Sequence, residues 1–329
     1  MPKFLNDPHD AIVESLRGFA HCHADEVVLN ETPRYVRRRV PNPSKVSVIS
    51  GGGSGHEPMH VGFVGVGMLD AAVPGEVFSS PSPEQILAAA DAVGGEPGVL
   101  YLVKNYSGDV MNFEIAMEAR GGASRRVLIE DDVAVENSTY SVGRRGVAGT
   151  LVVEKIAGAA AEQGADLAAC AAVAEDAAAR TRTMGVALGG CRAPTADRPN
   201  LEIRAGEMEL GVGIHGEPGR RRAMLESADA IMSELLTPVL ENLQSGSHDP
   251  VLLFVNGFGG TPLMELYILY DAASRALAAA NIVVARSLVG NYVTSLEMPG
   301  ASVTLTRISD RLLSYWDAPV RTPGLRWMA

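Results

Sequence analysis

Short apolar runs alternate along the chain with glycine-rich turns and with stretches of helical periodicity. Residues 46–49, 99–103 and 126–129 are predicted to be buried strands, because each run is short, apolar and bounded by turn residues. Ser82 followed by Pro83 predicts the start of a helix. Such an alternation of strand, turn and helix predicts an α/β fold.

The second half of the chain repeats this alternation. Five further strands are predicted, at residues 184–188, 208–214, 251–255, 282–284 and 303–308. Residues 220–243 are predicted to form one long amphipathic helix, and the segment up to about Arg39 a mixture of short helices and turns. A length of 329 residues favours two domains. We expect two α/β domains, residues 1–182 and 183–329, each a sheet flanked by helices.

Composition and charge narrow the class of protein. Hydrophobic residues make up 47% of the chain and aromatic residues only 5%, so the cores must be built from aliphatic side chains. The net charge of −11 argues against a nucleic acid or an anionic membrane as partner. Three widely spaced cysteines, no hydrophobic leader run and no membrane-length apolar stretch predict a cytoplasmic protein.

Two histidines follow glycine-rich turns that each come after a predicted strand. Residues 51–55 lead to His56, and a similar stretch surrounds His215. Glycines let backbone N–H groups approach a ligand because no Cβ stands in the way, and the near-neutral pKa of histidine suits proton transfer. We therefore expect the fold to bring both histidines to one small substrate.

Lys104 and Asp109 follow the predicted strand at residues 99–103. Open α/β sheets bind ligands beyond the carboxyl ends of their strands. The alternatives are that Asp109 only caps the next helix and that Lys104 is a surface residue. Residue types and spacing alone thus predict a site of His56, Lys104, Asp109 and His215.

Two other motifs give weaker signals. Gly211, Gly213 and Gly216 match the dinucleotide fingerprint, which leaves a nucleotide-dependent oxidoreductase as an alternative, although Glu217 would face a pyrophosphate unfavourably. Residues 21–23, His-Cys-His, have no second ligand pair at zinc-site spacing and are interpreted as a surface segment rather than a metal site.

Taken together, the motifs closely resemble the K domain of dihydroxyacetone kinases, the dihydroxyacetone-binding subunit. The resemblance lies in residues 51–58, 104–113, 143–150, 213–219, 256–266 and 288–298. These stretches occur in the family's order and cover nearly the whole chain. The resemblance implies a fold of two α/β domains and a homodimer.

The resemblance also implies a mechanism. A ring nitrogen of His215 adds to the ketone carbon of dihydroxyacetone and forms a covalent hemiaminal. His56 assists proton movement at the ketone oxygen, and Asp109 binds the terminal hydroxyl and acts as base in phosphoryl transfer. The residues implied to fix the substrate are Gly53, Ser54, Gly55 and Lys104.

The family's nucleotide lies on a separate L subunit, so the resemblance implies no cofactor and no metal in this chain. ADP or ATP with Mg²⁺ is expected on that partner. The phosphoryl donor is either phosphoenolpyruvate, through an M subunit of the phosphotransferase system, or ATP. A four-carbon ketose such as erythrulose offers the same carbonyl and is an alternative substrate. A hypothesis of another class is a sensor that binds dihydroxyacetone without turnover.

Overall fold

The structure, a computed structural model, describes residues 3–135, 142–243 and 249–327, and its first half builds a six-stranded sheet. The strands of this sheet are β1 (Val27–Glu31), β2 (Arg34–Arg38), β3 (Ser47–Ser54), β4 (Ala71–Val77), β5 (Val99–Lys104) and β6 (Ser124–Ile129). They lie in the order β1-β2-β4-β3-β5-β6. The four strands from β4 to β6 are parallel, so the carboxyl ends of β3 and β5 lie side by side at one edge.

The second sheet also has six strands in the described part of the chain. These are β7 (Thr181–Ala187), β8 (Glu207–Leu210), β9 (Arg221–Met224), β10 (Val251–Gly257), β11 (Val284–Gly290) and β12 (Gly300–Arg307). They lie in the order β11-β10-β12-β7-β8-β9, and β10 with β11 is the parallel pair among them. A small hairpin of β13 (Val320–Arg321) and β14 (Arg326–Trp327) follows.

Helices cover both sheets. They are α1 (Ala11–Cys22), α2 (Pro83–Val93), α3 (Ser107–Arg120), α4 (Gly149–Glu162), α5 (Leu167–Ala179), α6 (Ala228–Asn242), α7 (Leu263–Ala279) and α8 (Asp310–Trp316). Helix α4 is buried along almost its whole length, because it contacts β3 and β5 of the first sheet and β7 and β12 of the second. Its alanines and Gly158 permit this close approach on several sides.

The α/β class predicted from the sequence is confirmed, with two mixed sheets flanked by helices. The cap at Ser82 is also confirmed: its hydroxyl accepts a hydrogen bond from the Gln85 amide, while the Gln85 side chain accepts one from the Ser82 amide. The boundary predicted between residues 182 and 183 falls inside β7, and the assignment of domains stays a prediction.

The strand predicted at residues 282–284 is displaced, since β11 runs from Val284 to Gly290. Two other predictions in the second half were wrong. Residues 220–243 are not one helix: β9 comes first, and α6 begins only after Ser227, whose hydroxyl accepts a hydrogen bond from the Ala230 amide. The strand predicted at residues 208–214 ends at Leu210, because Gly211 has a φ of +82° and turns the chain out of the sheet. His215 therefore lies on a turn and not at a strand end.

The first sheet holds three strands that the sequence did not reveal. Residues up to Arg39 contain the β1–β2 hairpin, in which charged side chains obscure the alternation of buried and exposed positions. Strand β4 contains Pro74 and Gly75, residues that normally indicate a turn. In the described part of the chain, none of the helices has the length and apolar character needed to cross a bilayer.

Two helical glycines should respond oppositely to alanine. A Cβ on Gly158 of α4 would lie 2.5 Å from the backbone oxygen of Met68, whereas a Cβ on Gly18 of α1 would meet nothing within 4 Å. We expect Gly158→Ala to lower the free energy of unfolding by about 1–3 kcal/mol through overpacking. Gly18→Ala should raise it by up to about 1 kcal/mol through helix propensity. Urea denaturation measures both, and a stabilised Gly158→Ala variant would contradict the packing of α4.

Candidate functional site

The turn after β3 brings backbone and side chains unusually close together. A Cβ on Gly53 would lie 2.6 Å from the Ser79 amide nitrogen, and one on Gly52 would collide with the ammonium group of Lys104. Gly55 adopts a φ of +104°, which side chains rarely allow. These glycines thus let Lys104 and the segment at Ser79 pack directly against the turn.

His56 lies completely buried at the end of this turn. Its Nδ1 is 2.7 Å from the carbonyl oxygen of Thr294, and a carbonyl only accepts, so Nδ1 carries the proton and donates. Burial, with the charges of His215 and Lys104, lowers the pKa of His56 well below its usual range. The ring is therefore neutral at neutral pH. Its Nε2 is a buried acceptor without a hydrogen-bond partner among the described residues.

His215 is oriented by a carboxylate two residues further along the chain. The Glu217 carboxylate lies 2.9 Å from Nδ1 of His215 and also accepts a hydrogen bond from the His215 amide. Burial alone would raise the pKa of Glu217, but the charges of His215 and Arg145 outweigh it and lower the pKa to about 2. Glu217 is thus an anion at any working pH, and Nε2 of His215 is the nitrogen left for the cleft.

The two histidine rings face each other within an aromatic cluster. Their centroids are 4.9 Å apart in an edge-to-face arrangement. The ring of Phe78 lies 5.1 Å from His56 and 5.4 Å from His215, and Tyr106 lies 4.6 Å from His215. The fold therefore brings together the two histidines that lie 159 positions apart in the sequence, and the aromatic rings limit how either imidazole can turn.

Lys104 and Asp109 lie beneath the same cleft, at the carboxyl end of β5 and in the first turn of α3. The Lys104 ammonium donates to the Gly51 carbonyl oxygen at 3.0 Å and lies 3.7 Å from Oδ2 of Asp109. Lys104 is 1% exposed, so it is not a surface residue. Oδ1 of Asp109 is buried without a hydrogen-bond partner in the described ranges, and the Tyr106 cap position shows no side-chain cap. This oxygen is free to accept from a ligand.

These groups surround a cleft of about 480 Å³, which suits a small and polar ligand. His215, Asp109 and Gly53 line it directly, as their predicted roles require, whereas His56 and Lys104 lie behind its wall. Ser54 and Gly55 do not line it. The Ser54 hydroxyl donates to the Gly75 carbonyl oxygen inside the sheet, and both residues face a separate hollow near α1.

Several residues at the cleft were missed in the sequence. Phe78, Ser80, Tyr106 and Asn200 line it, and the Asn200 amide holds the backbone carbonyl of His215. Nothing in their local sequence indicates this role, since all four lie outside helices and strands and only the fold places them here. Glu217 did carry a signal, because a carboxylate two residues after a histidine can reach its Nδ1.

The described structure does not support a nucleotide site at residues 211–216 or a metal site at residues 21–23. No helix follows Gly216, because the chain continues into β9, so the strand–turn–helix geometry of a dinucleotide site is missing from this part of the described chain. Among residues 3–135, 142–243 and 249–327, no group of three or more histidine, cysteine, aspartate or glutamate side chains is arranged to hold a metal ion.

Relatives of known name match the chain from end to end. It is 43% identical to the Escherichia coli K12 protein named PEP-dependent dihydroxyacetone kinase, dihydroxyacetone-binding subunit DhaK, over 99% of both chains. It is 44% identical to a PTS-dependent dihydroxyacetone kinase 1 subunit of the same name from Listeria innocua, over 94% of this chain and 95% of the relative. A D-erythrulose kinase of Mycolicibacterium smegmatis is 39% identical over 99% of this chain and 57% of its own length.

Solved structures share the fold. The dihydroxyacetone kinase of C. freundii superimposes with a TM-score of 0.89 and 35% identity over 98% of this chain. The chain spans 60% of that longer kinase. The dihydroxyacetone kinase operon co-activator DhaQ superimposes with a TM-score of 0.88 and 35% identity, over 93% of this chain and 96% of its own. The Dak1 domain matches residues 17–324. The chain belongs to the Dak1 domain family, as its resemblance to the dihydroxyacetone kinase K domain predicted.

Proposed function

We propose that this chain is the dihydroxyacetone-binding subunit of a dihydroxyacetone kinase and that it holds the ketose as a hemiaminal on His215. The single observation that supports this most strongly is the pairing of Nδ1 of His215 with Glu217 at 2.9 Å inside the cleft. In the neutral form of the imidazole, this pairing keeps the proton on Nδ1 and leaves Nε2 with its lone pair. A neutral, oriented imidazole nitrogen is the nucleophile that addition to a ketone requires.

The addition of His215 to the ketone needs only this imidazole, the ketone and one proton. Nε2 of His215 donates its lone pair to the ketone carbon, the π pair moves to the oxygen, and that oxygen takes one proton from solvent. The imidazole then carries a positive charge, which the Glu217 carboxylate opposes. Nε2 of His56, neutral and without a protein partner among the described residues, accepts a hydrogen bond from the new hydroxyl.

Phosphoryl transfer then needs a base at the terminal hydroxyl of the ketose. Asp109 lines the cleft and its Oδ1 is unpartnered in the described structure, so it suits this role. The nearby Lys104 ammonium holds Asp109 in place and adds positive charge beneath the substrate. Little covalent work is left to the protein, since phosphoryl transfer depends mainly on positioning and electrostatics.

The phosphoryl donor belongs to a partner in this proposal. ADP or ATP with Mg²⁺ on a separate L subunit would supply the phosphoryl group, and an M subunit of the phosphotransferase system would recharge bound ADP. The name of the E. coli relative, which specifies dependence on PEP, supports the phosphotransferase route. We also propose a cytoplasmic location, which three cysteines without disulfides fit.

Two alternatives keep specific support. The D-erythrulose kinase relative supports a four-carbon ketose, which presents the same carbonyl to His215. The fold similarity to a co-activator supports a sensor without turnover. The cleft favours the enzyme, because sensing needs the His215 adduct but has no need of a free base at Asp109.

A homodimer is part of the proposal. Helix α7 exposes an apolar face made of Leu263, Met264, Tyr267 and Ile268. It lies beside β11, which is an edge strand of the second sheet. An apolar helix face next to an unpaired strand edge suits a second copy related by a two-fold axis, the commonest symmetry of soluble oligomers.

The adduct should depend on His215. Intact-protein mass spectrometry under native conditions, with dihydroxyacetone or erythrulose, should show a gain of one full ketose mass in wild type and none in His215→Ala. The control is His21→Ala, an exposed histidine on α1, which should keep the adduct. A gain that survives in His215→Ala would remove His215 from its role, and the larger gain of the two sugars identifies the preferred ketose.

Asp109 should separate binding from turnover. Asp109→Asn keeps the shape of the side chain and removes its basicity, so we expect an unchanged adduct and a fall in turnover of about 10²-fold or more with the L subunit and its phosphoryl donor. Asp10→Asn, an exposed position, serves as control. Turnover within about twofold of wild type would show that Asp109 is not the base.

The α7 face should control the oligomeric state. Met264, 72% exposed, lies at its centre. Met264→Glu should convert the dimer to a monomer in light scattering coupled to size exclusion, because it places a charge in an apolar contact. Val40→Glu changes an equally exposed valine far along the chain and should leave the dimer intact. A wild-type monomer, or a dimer in Met264→Glu, would reject this interface.

A further inference from the structure

A row of three buried ionisable side chains runs away from the cleft, and the mechanism uses only the first of them. Nζ of Lys104 lies 2.8 Å from Nε2 of His60, and Nδ1 of His60 lies 2.5 Å from Oε1 of Glu154 on α4. His60 is 5% exposed and Glu154 fully buried. Neither of them lines the cleft, and the proposed mechanism gives neither a role.

The direction of the hydrogen bonds follows from Lys104. An ammonium group only donates, so Nε2 of His60 accepts, Nδ1 must carry the proton, and Glu154 accepts from it. The imidazole thus links a cation at the cleft to a carboxyl group inside the protein. One tautomer satisfies both contacts, as in the second layer of many metal and catalytic histidine sites.

Compared with water, the surroundings of Lys104 favour the neutral form of its side chain over the ammonium form. Burial lowers the pKa of Lys104, while the negative charges of Asp109 and Glu154 oppose that effect. Burial raises the pKa of Glu154 to about 8, with Ser50 and Lys104 acting in the opposite direction. His56 and His60 are neutral, because burial lowers the pKa of each well below its usual range. The carboxyl groups of Asp109 and Glu154 are thus the acidic groups that face the ammonium group, Asp109 directly and Glu154 through His60.

We propose that His60 and Glu154 are positioning residues for Lys104, which hold its ammonium group against the glycine turn and keep it charged beneath the substrate. As the pH rises, Glu154 loses its proton and becomes an anion linked to Lys104 through His60. That anion stabilises the protonated lysine in the alkaline range, where burial would otherwise discharge it. The inference rests on the proposed function only in taking Lys104 as part of the substrate site.

The chain offers a direct test because it contains only four lysines, Lys3, Lys45, Lys104 and Lys155. Lysine labelled at Cε and Nζ gives four NMR signals, and a pH titration follows each one. We expect Glu154→Gln to lower the pKa of Lys104 by at least about one unit, because the variant keeps the hydrogen bond from His60 but never becomes an anion. Ketose binding should then weaken at correspondingly lower pH.

The matched control is Lys155→Met, the next residue on α4. Lys155 is buried too, but its ammonium group donates to the Tyr315 carbonyl on another side of the helix. Its loss should affect stability and leave the titration of Lys104 unchanged, which separates the proposed role from a general effect of removing a buried charge. Losing the Lys155 signal also assigns one of the four resonances.

A second variant covers the case in which Glu154→Gln does not fold. His60→Asn breaks the link itself and should also lower the pKa of Lys104. The inference is overturned if Lys104 titrates alike in wild type and in the folded variant. The titration uses the chain without ketose or partner, so that result would leave the His215 adduct unaffected, and a missing adduct would leave the Lys104 result standing.

Discussion

The cleft depends on ionisable side chains that are buried together with their interaction partners. Lys104, Asp109, Glu154 and Glu217 are all nearly inaccessible to water, and an isolated buried charge would neutralise or unfold the protein. Each one therefore has a partner of opposite charge or a hydrogen-bonded neighbour. The partners in turn fix the geometry of the site, because a side chain that must satisfy a buried charge has few positions in which it can do so.

Backbone space is the second condition for the same arrangement. Lys104 reaches the Gly51 carbonyl only because Gly52 leaves room for its ammonium group. On the other side, a Cβ on Gly213 would lie 2.6 Å from Nη1 of Arg145 and would collide with the Glu217 carboxylate. The glycine turns thus do more than expose backbone to a ligand, because they also admit the ammonium group of Lys104 and the Glu217 carboxylate that orients His215.

The sequence predicts features that depend on neighbouring residues and misses those that depend on tertiary contacts. The strand runs, the Ser82 cap and the turns that carry His56 and His215 follow from residue types that act over a few positions. The β1–β2 hairpin was missed because Arg34, Arg37 and Arg38 break its apolar pattern. Arg38 can be buried in a strand because it pairs with Asp70, and that pairing is a tertiary contact that the local sequence does not show. The candidate histidines were found, whereas the aromatic cluster and the row behind Lys104 required the fold.

The site is shared between the two sheets, and this sharing makes recognition depend on the whole fold. Lys104 ends β5 of the first sheet and Asp109 lies in α3, which follows it, whereas His215 lies in the turn after β8 of the second sheet. His56 joins them, since the Thr294 carbonyl that fixes its tautomer follows β11. Helix α4 contacts strands of both sheets and carries Glu154. A ketose bound at both its carbonyl and its terminal hydroxyl would therefore stabilise the arrangement of the two halves, and a triol without a carbonyl could not.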